Sequence, residues 1–299
     1  MIERNGFAAA VWSMFLAVAP AGADGVSAKR LYMDGQFGQI HVRTARPTSR
    51  ADEVKPPIAF FHHTPGSSRL YEAVVPLLAR DRLVLAFDTP GYGLSDRPTT
   101  QPLISDYAEA LGQALATFVD GQSVDVVGHM TGSFIAVDIA VERPELVRRV
   151  VLSRSPVFTA ETRARRLPQV QEQHAEEQAD PTASYLVRRL ERNLGSLAPG
   201  ASPEPVLVRF TDTVSPGEYW VFGELAVFRY RADLRMPNVT QPTLFMTYDV
   251  DDERGPEWRQ GAAIIPQAKV VSLSGLGAWA WQDHPAEMAK HVQTFLDAD

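Results

Sequence analysis

The stretch VDVVGHMTGSFIAV, residues 124–137, decides the fold. Val124 to Val127 reads as a strand and Gly132 to Val141 as a helix. Between them Gly128 and Gly132 stand two positions either side of Met130. The same alternation runs outward in both directions. Upstream, Arg30 to Met33 and Gln39 to Thr44 form two strands around the Asp34-Gly35 turn. Ile58 to Phe61 is a third, followed by a helix from Ser68 to Ala79, a strand from Leu83 to Phe87 and a helix from Leu103 to Val119. Downstream come a short strand at Val150 to Leu152, a strand at Thr243 to Thr247, a helix near Glu257 to Ile264, a strand at Val270 to Leu273 and a final helix from Pro285 to Leu296. From Ile58 onward the strands are near-continuous apolar runs, as expected of parallel strands covered on both faces, and the class is α/β.

Between Pro156 and Pro242 the pattern changes to charged, Gln-rich, Pro-interrupted helical pieces with an aromatic segment from Tyr219 to Tyr230. Residues 157–236 therefore read as a helical cap inserted between two strands, with 24–156 and 237–299 forming the core. The apolar run Phe7 to Ala19 is too short to span a bilayer and is followed by Pro20 and the small triplet Ala21 to Ala23. Residues 1–23 read as a signal peptide, which places the protein in the periplasm or outside the cell; a start codon assigned too far upstream is the alternative and leaves it in the cytoplasm.

A chain of 299 residues, 45% hydrophobic and 22% charged, buries one large core and is neither disordered, collagen-like nor coiled-coil. Its 29 Lys plus Arg against 36 Asp plus Glu give a net charge of −7, interspersed, which argues against nucleic acid as a partner. With no cysteine there is no disulfide, thiolate nucleophile or Cys-ligated metal. No metal or cofactor is expected, the partner is a small molecule, and the oligomeric state is left open.

Three runs in order resemble the α/β-hydrolase fold family over the whole chain after residue 23: His62-His63-Thr64-Pro65, Leu83 to Pro98 (LVLAFDTPGYGLSDRP) and Val127 to Gly132. The resemblance implies a mainly parallel sheet with helices on both faces and a cap. The first run is similar to the family's "H-G-x-P" oxyanion loop with His63 in place of glycine, and the third to its nucleophile elbow. It also implies a Ser, Asp or Cys at the elbow centre, where this chain has Met130, and a histidine after the last strand, where Gly275 to Trp279 has Ala278. A thioether surrenders no proton and forms no acyl-enzyme by the triad mechanism. The family's acid position falls on Asp251, with Asp249 and Asp252 one slip away; a turn or helix-cap residue is the plainer reading. His284, beside Pro285, reads as a helix start.

The oxyanion hole needs backbone N–H groups, so Thr64 and Thr131 remain candidates to hold a carbonyl or an anion. His62 and His63 either anchor their loop or supply a general acid or base. His129 is expected to face away from the pocket, Ser133 to bond locally and Asp88 to satisfy the Pro90 to Gly93 turn. Trp279, Trp281 and Phe158, with Trp220, Phe222 and Met130, line an apolar pocket or pack in the core. Three functions follow: binding of a small apolar molecule without hydrolysis; an enzyme using a loop histidine or an aspartate, as a lyase, isomerase or atypical hydrolase; and a conventional esterase-like hydrolase, for which no Gly-x-Ser-x-Gly occurs in the chain.

Overall fold

Asp34 and Gly35 close the first hairpin, so that β1 (Val26–Gly35) and β2 (Gly38–Pro47) pair antiparallel from Val26 opposite Pro47 to Gly35 opposite Gly38. The computed structural model describes residues 25–195, 203–249 and 255–298. The expected signal segment, Asp251 and Asp252 lie outside them. Next come β3 (Ile58–Phe61), α1 (Val75–Leu78) and β4 (Val84–Phe87). The expected helix from Ser68 to Ala79 is broken into a 3₁₀ turn at Ser68–Tyr71 and the short α1, because Pro76 has no N–H with which to continue a helix. The chain continues through α2 (Ile104–Val119), β5 (Val124–His129), α3 (Thr131–Glu142) and β6 (Val147–Ser153). At the start of α2 the Asp106 carboxylate accepts the Leu103 N–H at 2.8 Å.

Among the described residues, five α-helices then separate β6 from the next strand: α4 (Ala160–Ala179), α5 (Ser184–Leu194), α6 (Glu204–Val214), α7 (Trp220–Arg229) and α8 (Ala232–Arg235). The chain re-enters the sheet at β7 (Thr243–Tyr248) and closes with α9 (Gly255–Ile264), β8 (Lys269–Leu273), α10 (Ala280–Asp283) and α11 (Pro285–Leu296). The sheet order is β1-β2-β4-β3-β5-β6-β7-β8, with β3 to β8 parallel and β2 antiparallel to β4. Strict alternation divides the core between the two faces. Leu85 and Phe87 pack with α2 and α3, whereas Val84 and Ala86 pack with α1 and α11. No helix among the described residues is long and apolar enough to cross a membrane.

Candidate functional site

At the end of β5 the chain takes the sharp turn read from the sequence. Met130 has φ 51° and ψ −113°, and α3 begins at the next residue. A β-carbon on Gly132 would collide with the Phe61 carbonyl, and one on Gly128 with the Gly132 backbone, so the turn demands both glycines. Met130 N–H donates to the Ser153 carbonyl at 3.0 Å, and its own carbonyl accepts from Ser133 N–H at 2.9 Å. Ser133 bonds locally, donating Oγ–H to the carbonyls of Gly128 (3.0 Å) and Ser153 (3.2 Å). The half-buried thioether is thus presented at the carboxyl edge of the sheet.

The loop after β3 lies beside it. His62 is fully buried and uses both ring nitrogens, with Nδ1–H donating to the His63 carbonyl at 2.6 Å and Nε2 accepting Thr89 N–H at 3.0 Å. It anchors the loop, and burial lowers its pKa. Thr64 and Thr131 meet through their hydroxyls at 2.8 Å, while Thr64 N–H points at Thr131 Oγ1 at 3.3 Å. One of the two expected backbone donors is therefore met by a side chain of the protein itself. From above, α7 seats directly on this loop: Gly223 N–H donates to Tyr92 Oη at 2.7 Å, and a β-carbon on Gly223 would collide with Thr64 Oγ1.

The other wall is aromatic and polar. His129 Nδ1 shares a hydrogen bond with Ser153 Oγ at 2.9 Å, and its ring also bonds the Ala278 backbone. Ser153 Oγ bonds Tyr248 Oη at 2.6 Å and accepts Trp281 Nε1–H at 3.2 Å. Burial first, then His63 and Arg154, hold the His129 imidazole well below its ordinary pKa. The half-buried His63 ring sits edge-on to His129 at 5.7 Å and to Trp279 at 5.3 Å, with Nδ1 buried and unpartnered. Its pKa is pushed down to about 3 by burial, with His62 and Arg154 adding to the effect. Trp279 lies under the Arg209 guanidinium of α6 at 4.7 Å, and Arg209 reaches on to Gln282 (2.8 Å) and Asp283. Asp212, also on α6, accepts from Ser67 Oγ at 2.8 Å. A narrow space of about 10 Å³ lies between His63, Ser67, Leu70, Arg209, Asp212 and Trp279.

The remaining candidates contact other parts of the chain. Trp281 is wholly buried against Phe60 and Tyr71, so it belongs to the core under the site. Phe158 packs on Phe228 at 5.0 Å, Trp220 under Arg189 at 4.6 Å and Phe222 on Tyr219 at 5.1 Å. Asp249 is exposed and accepts Gly275 N–H at 2.6 Å, tying the end of β7 to the turn after β8. Asp88 accepts the N–H groups of Ser68 (2.6 Å) and Leu94 (2.9 Å) and pairs with His41 at 2.8 Å. His284 is exposed at the start of α11. Sequence reasoning did not single out Arg154, Arg209, Asp212 or Ser153, and it read Tyr248 only as part of the stretch that ends at Asp251. A larger groove of about 750 Å³ lies between α2, α3, α7 and α8, and it shares no lining residue with the space beside His63. No group of three or more metal-ligating side chains occurs among the described residues.

Residues 56–280 match the family described as alpha/beta hydrolase fold, and the chain belongs to it. It is 26% identical over 266 residues to a proline iminopeptidase of Heyndrickxia coagulans, covering 81% of this chain and 91% of that protein. A shorter segment of 96 residues is 34% identical to 2-(acetamidomethylene)succinate hydrolase of Mesorhizobium japonicum, covering 32% of this chain and 34% of that one. Among solved structures, a hydrolase from Pseudomonas aeruginosa PA01 superposes with a TM-score of 0.74 at 18% identity, over 90% of this chain and 99% of that one. An identity that low shows the fold alone.

Proposed function

We propose that this α/β-hydrolase-fold chain binds a small molecule beneath a cap formed by residues 157–236, without Ser/His ester hydrolysis. The observation that carries the reading is Met130 at the apex of the strand-to-helix turn, the place where the family resemblance puts the nucleophile. Its sulfur has no proton to give. The imidazole position falls on Ala278, and the rings of His62 and His129 are fully engaged in hydrogen bonds. The Thr64–Thr131 pair, Met130 and Trp279 supply a polar and an apolar surface for a ligand.

The unpartnered Nδ1 of His63 favours one alternative, an enzyme in which that ring moves a proton; its low pKa makes it a weak base at neutral pH. The hydrolases among the relatives keep a conventional activity as the competing outcome. Met130→Ser alone and Ala278→His alone should each give little or no turnover of an activated ester, because a serine needs a base and the base an orienting acid. The double variant should exceed both if Asp251 serves as the acid. Full turnover by Met130→Ser alone would mean that a base is already in place. Export belongs to the same proposal: N-terminal sequencing of protein from its native host should begin at or near Asp24, and an intact Met1 would contradict it.

A further inference from the structure

The groove of about 750 Å³ between α2, α3, α7 and α8 has the size of a small-molecule site. Ile104, Ala108, Ile139 and Ala226, all buried, give it an apolar floor. Several of the charges that line it are answered within the chain. Arg235 donates Nε–H to Asp138 Oδ1 at 2.8 Å and reaches Glu142 at 2.5 Å, and Arg231 pairs with Asp233 at 2.7 Å. Two sheltered polar groups are left over.

The first is on Asp138, which lines the groove and is 2% exposed. Tyr230 Oη–H donates to the same Oδ1 at 2.7 Å, so both bonds fall on one oxygen and Oδ2 has no donor among the described residues. A buried carboxylate oxygen ordinarily accepts a hydrogen bond. The second is the guanidinium of Arg143, which lines the groove at the end of α3. A β-carbon on Gly112 would lie 3.2 Å from Arg143 Nε, so a glycine inside α2, a poor helix former, leaves room for the arginine to lie close against that helix. The residue is half-buried, yet its guanidinium has no hydrogen bond or ion pair among the described residues. From Asp138 to Arg143 the helix rises about 7.5 Å. Two extended residues span about the same length.

We infer that this groove is a second ligand site, separate from the elbow, and that it takes short apolar peptides of two or three residues with both termini free. The peptide ammonium donates to Asp138 Oδ2, and the terminal carboxylate accepts from the Arg143 fork. Its side chains rest on the floor of Ile104, Ala108, Ile139 and Ala226. A simple anion fits less well, because it leaves Asp138 Oδ2 unanswered and meets the carboxylates of Glu109 and Glu145, which line the same groove. A free amino acid carries both charges but is too short to bring them to both groups. The inference does not depend on the reading of the Met130 edge.

The test is calorimetric titration of the full chain with dileucine and trileucine, each against its N-acetyl form, its C-terminal amide and free leucine. The free peptides should bind at least about tenfold more tightly than either blocked form or leucine. Arg143→Gln should bring them down to the level of their amides. Asp138→Asn, which keeps an oxygen for Tyr230 and Arg235, should bring them down to the level of the N-acetyl forms. Thermal unfolding establishes that each variant is folded; should Asp138→Asn fail to fold, Arg143→Gln, whose guanidinium gives up no partner among the described residues, decides alone. No binding of either peptide, or binding indifferent to either block, would overturn the assignment. Discrimination that survives in a folded variant would overturn it too, by placing the bound peptide elsewhere on the protein.

Discussion

Gly132 has no space for even one methyl group, because its α-carbon faces the Phe61 carbonyl across the junction of β3 and α3. Gly132→Ala should therefore destabilise the protein by about 3 kcal/mol, read as a lowered urea midpoint with an unchanged slope. A midpoint like that of the wild type would mean that the elbow is looser than described. This feature was legible in the sequence because it is local: glycines at 128 and 132 bracket a residue between a strand pattern and a helix pattern. Arg154 was not legible. A positive φ on arginine is imposed by the ladder from β6 to β7, not by its neighbours in sequence. The engagement of Thr64 N–H by the Thr131 hydroxyl was equally hidden, since sequence indicates which loop approaches the elbow but not which threonine rotamer meets it.

Helix α6 is held to the core by two charged residues one turn apart. Arg209 reaches Trp279, Gln282 and Asp283, and Asp212 reaches Ser67 and Arg69. The Arg209 guanidinium is 6% exposed, while its partner Asp283 is 45% exposed, so that ion pair is only partly screened from salt. Arg209→Ala should cost about 1–3 kcal/mol and, more specifically, raise amide exchange in α6 while leaving α3 protected. Unchanged exchange in α6 would show that its apolar face alone keeps it seated. Among the elements, the final helix starts at Pro285 as the sequence predicts, because proline suits a first helical turn. The same residue type misled at Pro76, where a proline inside an apolar run divides one expected helix into two short turns. Trp281 was ambiguous for a different reason: an indole close to a site in sequence packs equally well above or below a sheet edge, and here its N–H finds Ser153 from below.

Across the whole molecule, His62, His63 and His129 share one property, a pKa depressed mainly by burial. The unfolded chain protonates these rings near the ordinary value of 6.5, and the folded chain resists doing so. Unfolding thus takes up protons as the pH falls below 6.5, and stability present above that value is lost progressively toward the folded pKa, about 3 for His63. At pH 5 the loss reaches up to about 2 kcal/mol for His63, and His62 and His129 add to it in the same direction. Denaturant titrations at pH 7.5 and 5 should show it, and His129→Gln should flatten the dependence; an identical slope would contradict neutral burial of that ring. The mainly parallel sheet and the elbow bring a thioether, two threonines and buried imidazoles to one edge, and the proposed reading is that this edge binds without ester hydrolysis. Turnover of an activated ester by the unmodified protein is the most direct measurement of that claim. No turnover above background is expected of the wild type or of Met130→Ala. Hydrolysis at about 1 per second or faster that survives Met130→Ala but is lost with His62→Ala or His63→Ala would contradict it and place the chemistry on a loop histidine.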